Sequence, residues 1–304
     1  MFGHFIEGES AQSKDIYGVT HYFIYCIHMP MFILISGYLC KNKWSSKKLI
    51  RNYIVPYIIF DLLWAIYSII RNTEQLKSLN ILYPTYVYWF ILCLFFLRII
   101  AFIPKLDTLF FPLSIVALLI TSVIEQQQWR FLSLGRVVLL YPMFYLGRNY
   151  ARNICERIYL HKRICLVIIS MCILVEIILL SSGAAPITWS THDYPNSVGE
   201  SVLKLIFIVI TLCMFCCFSA LLPKKQTILS RWGRNSLIVY LLHPFVVDMI
   251  KIVISKLHFR WDTAFFFAVF ITSVIITEVL SEDWLRLLFD KFMNRLNILL
   301  RLND

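Results

Sequence analysis

Long apolar runs broken by short basic loops dominate this chain. Nine segments approach or reach membrane-crossing length: about 19–39, 50–70, 86–103, 106–124, 133–150, 164–181, 202–222, 236–254 and 263–280. Each is continuously apolar and lacks period-two alternation, so the pattern predicts helices and not the strands of an outer-membrane barrel. Beyond the last segment, Trp284, Leu287, Leu288, Phe292, Leu296 and Leu299 recur at helical spacing, with Arg286, Lys291 and Arg295 between them. That stretch predicts an amphipathic helix over 283–300 lying on the inner membrane surface. No repeat or low-complexity linker divides the chain. The expected fold is an all-α, polytopic transmembrane helical bundle, one domain over 1–304.

Composition supports the pattern. Apolar residues make up 59% of the 304 residues and charged residues 15%, against roughly 45–50% and 25% in soluble domains. Mean hydropathy is +0.72. The net charge of +11 does not point to nucleic acid, because the positive residues fall in short loops between spans. Twenty of the 29 lysines and arginines lie in one set of alternate loops and the tail, which places that set and the C-terminus in the cytoplasm. The loop 182–201 then falls outside. It has no Lys or Arg but carries Trp189, His192, Asp193 and Tyr194, a mixture that suits either an interfacial belt or carbohydrate contact. The same topology puts Met1 outside, so one further span before it is expected, ten in all. The nine cysteines lie mostly within or beside spans and form no opposed CxxC pairs. They read as membrane-embedded thiols, with no metal site expected. No Walker loop, GxSxG, HExxH or GxGxxG is present, so the sequence does not support ATP-driven or soluble-hydrolase chemistry.

Several residues are too polar for plain lipid-facing helices. A charge at mid-membrane costs about 2.5–3.5 kcal/mol on insertion scales. His28-Met29-Pro30-Met31-Phe32-Ile33-Leu34-Ile35-Ser36-Gly37-Tyr38 lies inside the first segment. His28 suits a hydrogen bond to a substrate or to a neighbouring helix. Pro30 removes a backbone donor and predicts a kink, and Ser36-Gly37 lets another backbone or a ligand approach. His4 stands near Glu7 and Glu9, as an interfacial histidine or as a general base oriented by a carboxylate. Lys47, Lys48 and Arg51 lead into Pro56, either as topogenic charge or as a landing place for phosphates. Arg136 sits near the outer end of the fifth segment. Asp61, Glu176, Asp248 and Glu278 are acidic counterparts available to Arg136 or Lys204. Asn235-Ser236 suits a helix start, and His243-Pro244 is another mid-span polar break.

In order along the chain, Gly3-His4, the His28–Tyr38 block, Lys47-Lys48…Arg51…Pro56-Tyr57, Tyr88-Trp89-Phe90-Ile91, Arg136…Tyr141-Pro142-Met143-Phe144-Tyr145-Leu146-Gly147 and Asn235-Ser236…Tyr240-Leu241-Leu242-His243-Pro244-Phe245 resemble the integral-membrane acyltransferase 3 family, in particular its fucose 4-O-acetylase-like branch. The resemblance covers almost the whole chain. It implies a ten-span O-acyltransferase of the bacterial cytoplasmic (inner) membrane. Such an enzyme takes an acyl group, usually acetyl, from acyl-CoA and delivers it to a hydroxyl of a glycan or lipid-linked saccharide. Acetyl-CoA is then a co-substrate, and no bound cofactor is expected. The family's essential histidine matches His4. Its partner arginine, about ten residues earlier, would precede Met1. O-acyl transfer needs a base, for which His4 is the candidate, and donors to the oxyanion, for which Arg136 and His28 are candidates. Lys47, Lys48, Arg51, Ser36, Gly37 and Trp89 are the candidates for binding donor and substrate. The alternatives are a glycan or lipid transporter or flippase, and an inactive truncated paralogue.

Overall fold

The computed structural model describes residues 1–7, 15–73, 80–120, 131–157, 161–183, 198–223, 225–257 and 261–302. The elements in order are α1 (Phe2–Ile6), α2 (Ile16–Leu39), α3 (Ser46–Leu49), a π-helical turn (Ile50–Ile54), α4 (Val55–Ile70), α5 (Trp89–Ala101), α6 (Pro104–Ile120) and α7 (Leu134–Asn149). They continue with α8 (Ala151–Arg157), α9 (Lys162–Ser181), α10 (Val198–Leu221), α11 (Ile228–Arg234), α12 (Ser236–Lys256), α13 (Thr263–Leu280) and α14 (Asp283–Leu299). Among the described residues there is no strand, as the unbroken apolar runs predict.

Among the described residues, six helical stretches are long and apolar enough to cross a membrane: Ile16–Leu39, Ser46–Ile70, Lys162–Ser181, Ser201–Leu221, Ser236–Lys256 and Thr263–Leu280. They match six of the nine expected segments. The other three are the shorter helices α5, α6 and α7, of 13, 17 and 16 residues. The expected end of the fourth segment, 121–124, and the aromatic stretch 184–197 lie outside the described residues. Both α2 and α12 run on through an internal proline, Pro30 and Pro244, so His243-Pro244 does not break its helix.

The chain divides into two compact units, one of Tyr22–Leu222 and one of Met1–His21 with Pro223–Asp304. In the first, α2 and α7 approach backbone to backbone. A Cβ on Gly37 of α2 would overlap the Phe144 carbonyl, and one on Gly147 of α7 would overlap the Leu34 carbonyl. The small residues are therefore reciprocal, the arrangement by which helices pack closely inside a membrane. At Gly37 the close approach is made by the α7 backbone, not by a ligand. The neighbouring Ser36 hydroxyl donates to the Phe32 carbonyl one turn back, at 2.7 Å. Around this crossing Ile33, Leu34, Leu140, Tyr141, Met143 and Phe144 are buried. By contrast α9 leaves Leu166, Val167, Met171, Leu174, Ile177 and Ile178 exposed. Its apolar window is only 17% buried, as suits a helix whose solvent is lipid.

In the second unit Phe5, Ile6, Tyr17, Val247, Phe266 and Val269 form the core. Phe2 of α1 meets Phe266 and Phe270 of α13 edge to face at 5.3 and 5.4 Å. The Tyr17 hydroxyl donates to the Asp262 carbonyl at 2.7 Å. Asn235 is the N-cap residue of α12, but its side chain makes no cap hydrogen bond. It donates instead to the Ser281 carbonyl at 2.6 Å and to the Asp283 carboxylate at 2.9 Å, and so ties the start of α14 to α12. Glu278, expected to be available to Arg136 or Lys204, pairs with Arg231 and accepts from the Trp232 indole. Arg231 also meets Glu282 at 2.9 Å. The amphipathic tail is present as α14, with Trp284, Leu287, Leu288, Phe292 and Leu299 exposed on it.

The polar end of α14 carries a pH dependence whose sign is fixed. The Asn235 hydrogen bond, followed by the nearby Arg234, Arg231 and Arg286, holds the Asp283 carboxyl below its ordinary value. Its contribution to docking α14 is therefore complete above the usual aspartate range, near 3.9. It is lost as pH falls through the lowered value. Hydrogen exchange over α14 should accelerate on acidification within that window, and Asp283→Asn should flatten the dependence.

Candidate functional site

His4 lies in the short α1, with 18% of its side chain exposed. Its Nδ1 is 3.0 Å from Glu7 Oε2. An ionised carboxylate only accepts, so Nδ1–H donates and Nε2 carries the lone pair. Glu7 thereby holds His4 in the tautomer with a basic Nε2, the form a general base would use.

A second imidazole stands beside it. The His243 ring centroid is 5.2 Å from that of His4, tilted by 38°, and His243 is 6% exposed. Its orientation follows from the proline after it. Pro244 has no N–H, so the Tyr240 carbonyl four residues back loses its helical partner. His243 Nδ1 donates to that carbonyl at 2.8 Å and to the Val239 carbonyl at 3.1 Å. Both imidazoles thus commit Nδ1–H to a fixed acceptor and keep Nε2 as the basic nitrogen. The Lys251 ammonium donates to the Glu7 carbonyl at 3.3 Å. His21, buried at the start of α2, is within electrostatic reach of Glu7, His4 and Lys251. Among the described residues, no three or more His, Cys, Asp or Glu side chains are grouped to hold a metal ion.

Sequence reasoning found His4 and its carboxylate. It left His243 without a role and passed over His21 and Lys251. The readable signal for His243 was the following proline, which orphans a carbonyl that the histidine can reach. Pro244→Ala tests this: an alanine amide would take the Tyr240 carbonyl and release the His243 ring. Thermal stability is expected to rise, because proline inside a helix costs about 3 kcal/mol relative to alanine, while acyl transfer falls. Unchanged transfer would remove His243 from the site.

The remaining candidates belong to the Tyr22–Leu222 unit. His28 Nδ1 donates to the Ile24 carbonyl at 2.7 Å, and its ring meets Tyr25 and Phe32 edge to face. In that tautomer the neutral ring's Nε2 is an acceptor, which suits holding a hydroxyl better than donating to an oxyanion. The Arg136 guanidinium lies 4.2 Å from the Trp89 ring centroid, so Trp89 serves as a cation–π platform for that arginine. Lys47 is exposed, while Lys48 and Arg51 are half-buried. The Lys48 ammonium sits 4.8 Å from the Trp44 ring centroid. Arg51 is in the π-helical turn, a distortion that recurs at functional sites. Asp61, an expected partner of Arg136 or Lys204, accepts from the Thr85 amide and hydroxyl, both at 2.7 Å.

The helical bundle, with six apolar helices long enough to cross a membrane among the described residues, fits a multi-pass membrane protein. The family model for the acyltransferase domain (acyltransferase 3) matches residues 1–281, and the chain belongs to this family. The amphipathic α14 follows the matched region. No curated protein and no solved structure matches the chain.

Proposed function

We propose that the chain is an O-acyltransferase of the bacterial cytoplasmic membrane. It moves an acyl group, acetyl as the simplest case, from acyl-CoA to a hydroxyl of a glycan or cell-surface polysaccharide precursor. The observation that carries this reading is the His4 imidazole, held through Nδ1 by Glu7 in a chain of the acyltransferase 3 family. His4 Nε2 takes the proton of the acceptor hydroxyl as its oxygen bonds to the thioester carbonyl carbon. The carbon–sulfur bond then breaks, and the departing thiolate takes the proton from the imidazolium, so ester and CoA thiol form with no net proton change. Glu7 offsets the transient positive charge. His243, with Nδ1 committed to backbone, offers Nε2 to a second hydroxyl of the same acceptor, as a sugar would present. Lys47, Lys48 and Arg51 supply positive charge for the donor's phosphates.

Membranes containing the full chain, given acetyl-CoA labelled in the acetyl group, should move label into a saccharide fraction. Protein-dependent transfer supports the enzyme. Absence of both transfer and acetyl loss would overturn it and favour a transporter.

A further inference from the structure

Within the Tyr22–Leu222 unit, α9 is inside out by the standards of a soluble helix. Its leucines and isoleucines face outward, and the residues it buries are Cys165, Cys172 and Glu176. Their spacing puts all three on one face, which packs against α10. There α10 presents Cys213, Cys216 and Cys217, spaced i, i+3, i+4. The Cys172 and Cys213 side chains are hydrogen-bonded to each other, as are those of Cys165 and Cys217. All four are free cysteines, with no disulfide between them. Cys165 and Cys217 are both buried, whereas Cys172 is buried and Cys213 partly exposed. Glu176 stands one turn along α9 from Cys172 and within electrostatic reach of its sulfur. It is 2% exposed, and neither carboxyl oxygen has a hydrogen-bond partner. Neither Arg136 nor Lys204, its expected partners, pairs with it.

A buried carboxyl with both oxygens idle is costly, and inside a membrane-length helix it marks a functional site. Protonated, it donates from one oxygen and accepts at the other, so it can pass a proton on without becoming charged. Thiol–disulfide exchange needs that service in hydrocarbon, because the attacking sulfur loses a proton and the leaving sulfur gains one. We propose that Cys172, Cys213 and Glu176 form a dithiol redox site between α9 and α10, oxidised by a lipid-soluble disulfide. The oxidant meets Cys213, the exposed member. The Cys213 sulfur bonds to one sulfur of the oxidant, the oxidant's sulfur–sulfur bond breaks, and the departing thiol carries off the Cys213 proton. Cys172 then attacks the Cys213 sulfur. Its proton passes to one Glu176 oxygen, while the other oxygen gives its proton to the second departing thiol. Two protein thiols and one small disulfide become one protein disulfide and two small thiols. The product ties α9 to α10, and an excess of small thiol reverses it. The site rests on these two helices and is independent of the acyltransferase reading.

The test treats the purified full chain in phosphatidylcholine nanodiscs with dipyridyl disulfide, which enters lipid and releases a coloured thiopyridone at each step. Peptide mass spectrometry follows each cysteine over time. In wild type a thiopyridyl adduct should appear on Cys213 and give way to a Cys172–Cys213 disulfide that dithiothreitol reopens. Cys172→Ser should stop at the adduct. Glu176→Gln should form the adduct at the wild-type rate and close it about a hundredfold more slowly. A variant that only loosened the fold would change both steps, and thermal unfolding checks that the fold is kept. The pair Cys165 and Cys217, with neither member exposed, should close later than Cys172 and Cys213. Failure of folded wild type to form the Cys172–Cys213 disulfide overturns the proposal, and so does closure by Glu176→Gln at the wild-type rate. If Glu176→Gln does not fold, wild type and Cys172→Ser still decide: closure of the Cys213 adduct in Cys172→Ser would also overturn it.

Discussion

Replacing His4 with alanine is expected to lower acyl transfer by about 10²–10⁴-fold, the range for loss of a positioned general base. The protein should stay folded, because His4 is partly exposed and the apolar contacts of α1 come from Phe2, Phe5 and Ile6. Glu7→Gln should cost less. The amide oxygen can still accept from Nδ1–H, but it no longer offsets the imidazolium charge. Because Glu7 acts through His4, adding Glu7→Gln to His4→Ala should cost almost nothing more. That non-additivity marks residues working as one unit. The measurement is label transfer from acetyl-CoA by membranes holding equal amounts of each variant. Normal transfer by His4→Ala would remove the base assignment, and an additive loss in the double variant would separate Glu7 from it.

Gly147→Ala and Gly37→Ala are expected to be the most damaging small substitutions for the fold. At each, the new methyl would overlap a backbone carbonyl of the facing helix, Leu34 for Gly147 and Phe144 for Gly37. A flexible side chain can turn away, but a carbonyl inside a helix cannot move without carrying the helix with it. Overpacking of this kind costs about 1–3 kcal/mol, and more where backbone must separate. The affected crossing holds Ile33, Leu34, Met143 and Phe144, so opening it also unpacks their contacts. Gly233→Ala is the matched control. A Cβ there meets nothing within 4 Å, and its helix should gain about 0.8–1 kcal/mol in propensity. Detergent-extracted variants should show lowered melting temperatures for positions 37 and 147 and an equal or raised one for 233. Equal melting of all three would contradict the close approach of α2 and α7.

Both predictions begin from residues the sequence already marked, but it marked them unequally. Gly37 stood out as a glycine in an apolar run, open to a backbone or a ligand; only α7 lying against it decides for the backbone. Gly147 carried no such flag, because its need for small size comes from Leu34, far away in the chain. His4 was readable through Glu7, three residues on and within reach along the chain. His243 was not, because its nearness to His4 depends on α1 packing against α12. Asn235 reads as a helix cap, yet its side chain serves α13 and α14, whose backbone and carboxylate outcompete the local amide. Arg98 reads as one more basic residue in a loop set, yet it is buried, with its guanidinium 3.7 Å from the Trp44 ring centroid, because a loop distant in sequence folds back onto α5.

Sequence by itself determined the all-helical class, most of the membrane-length spans, the amphipathic tail and the family motifs. Those properties are written in composition and in periodicities of a few residues, which the bilayer and the backbone read locally. Tertiary structure alone decided the seating of Gly37 against the Phe144 carbonyl and of Gly147 against the Leu34 carbonyl, and the tilted contact of His4 with His243. Each joins residues distant along the chain, and hydrophobic patterning, which says which face is buried, does not say against what.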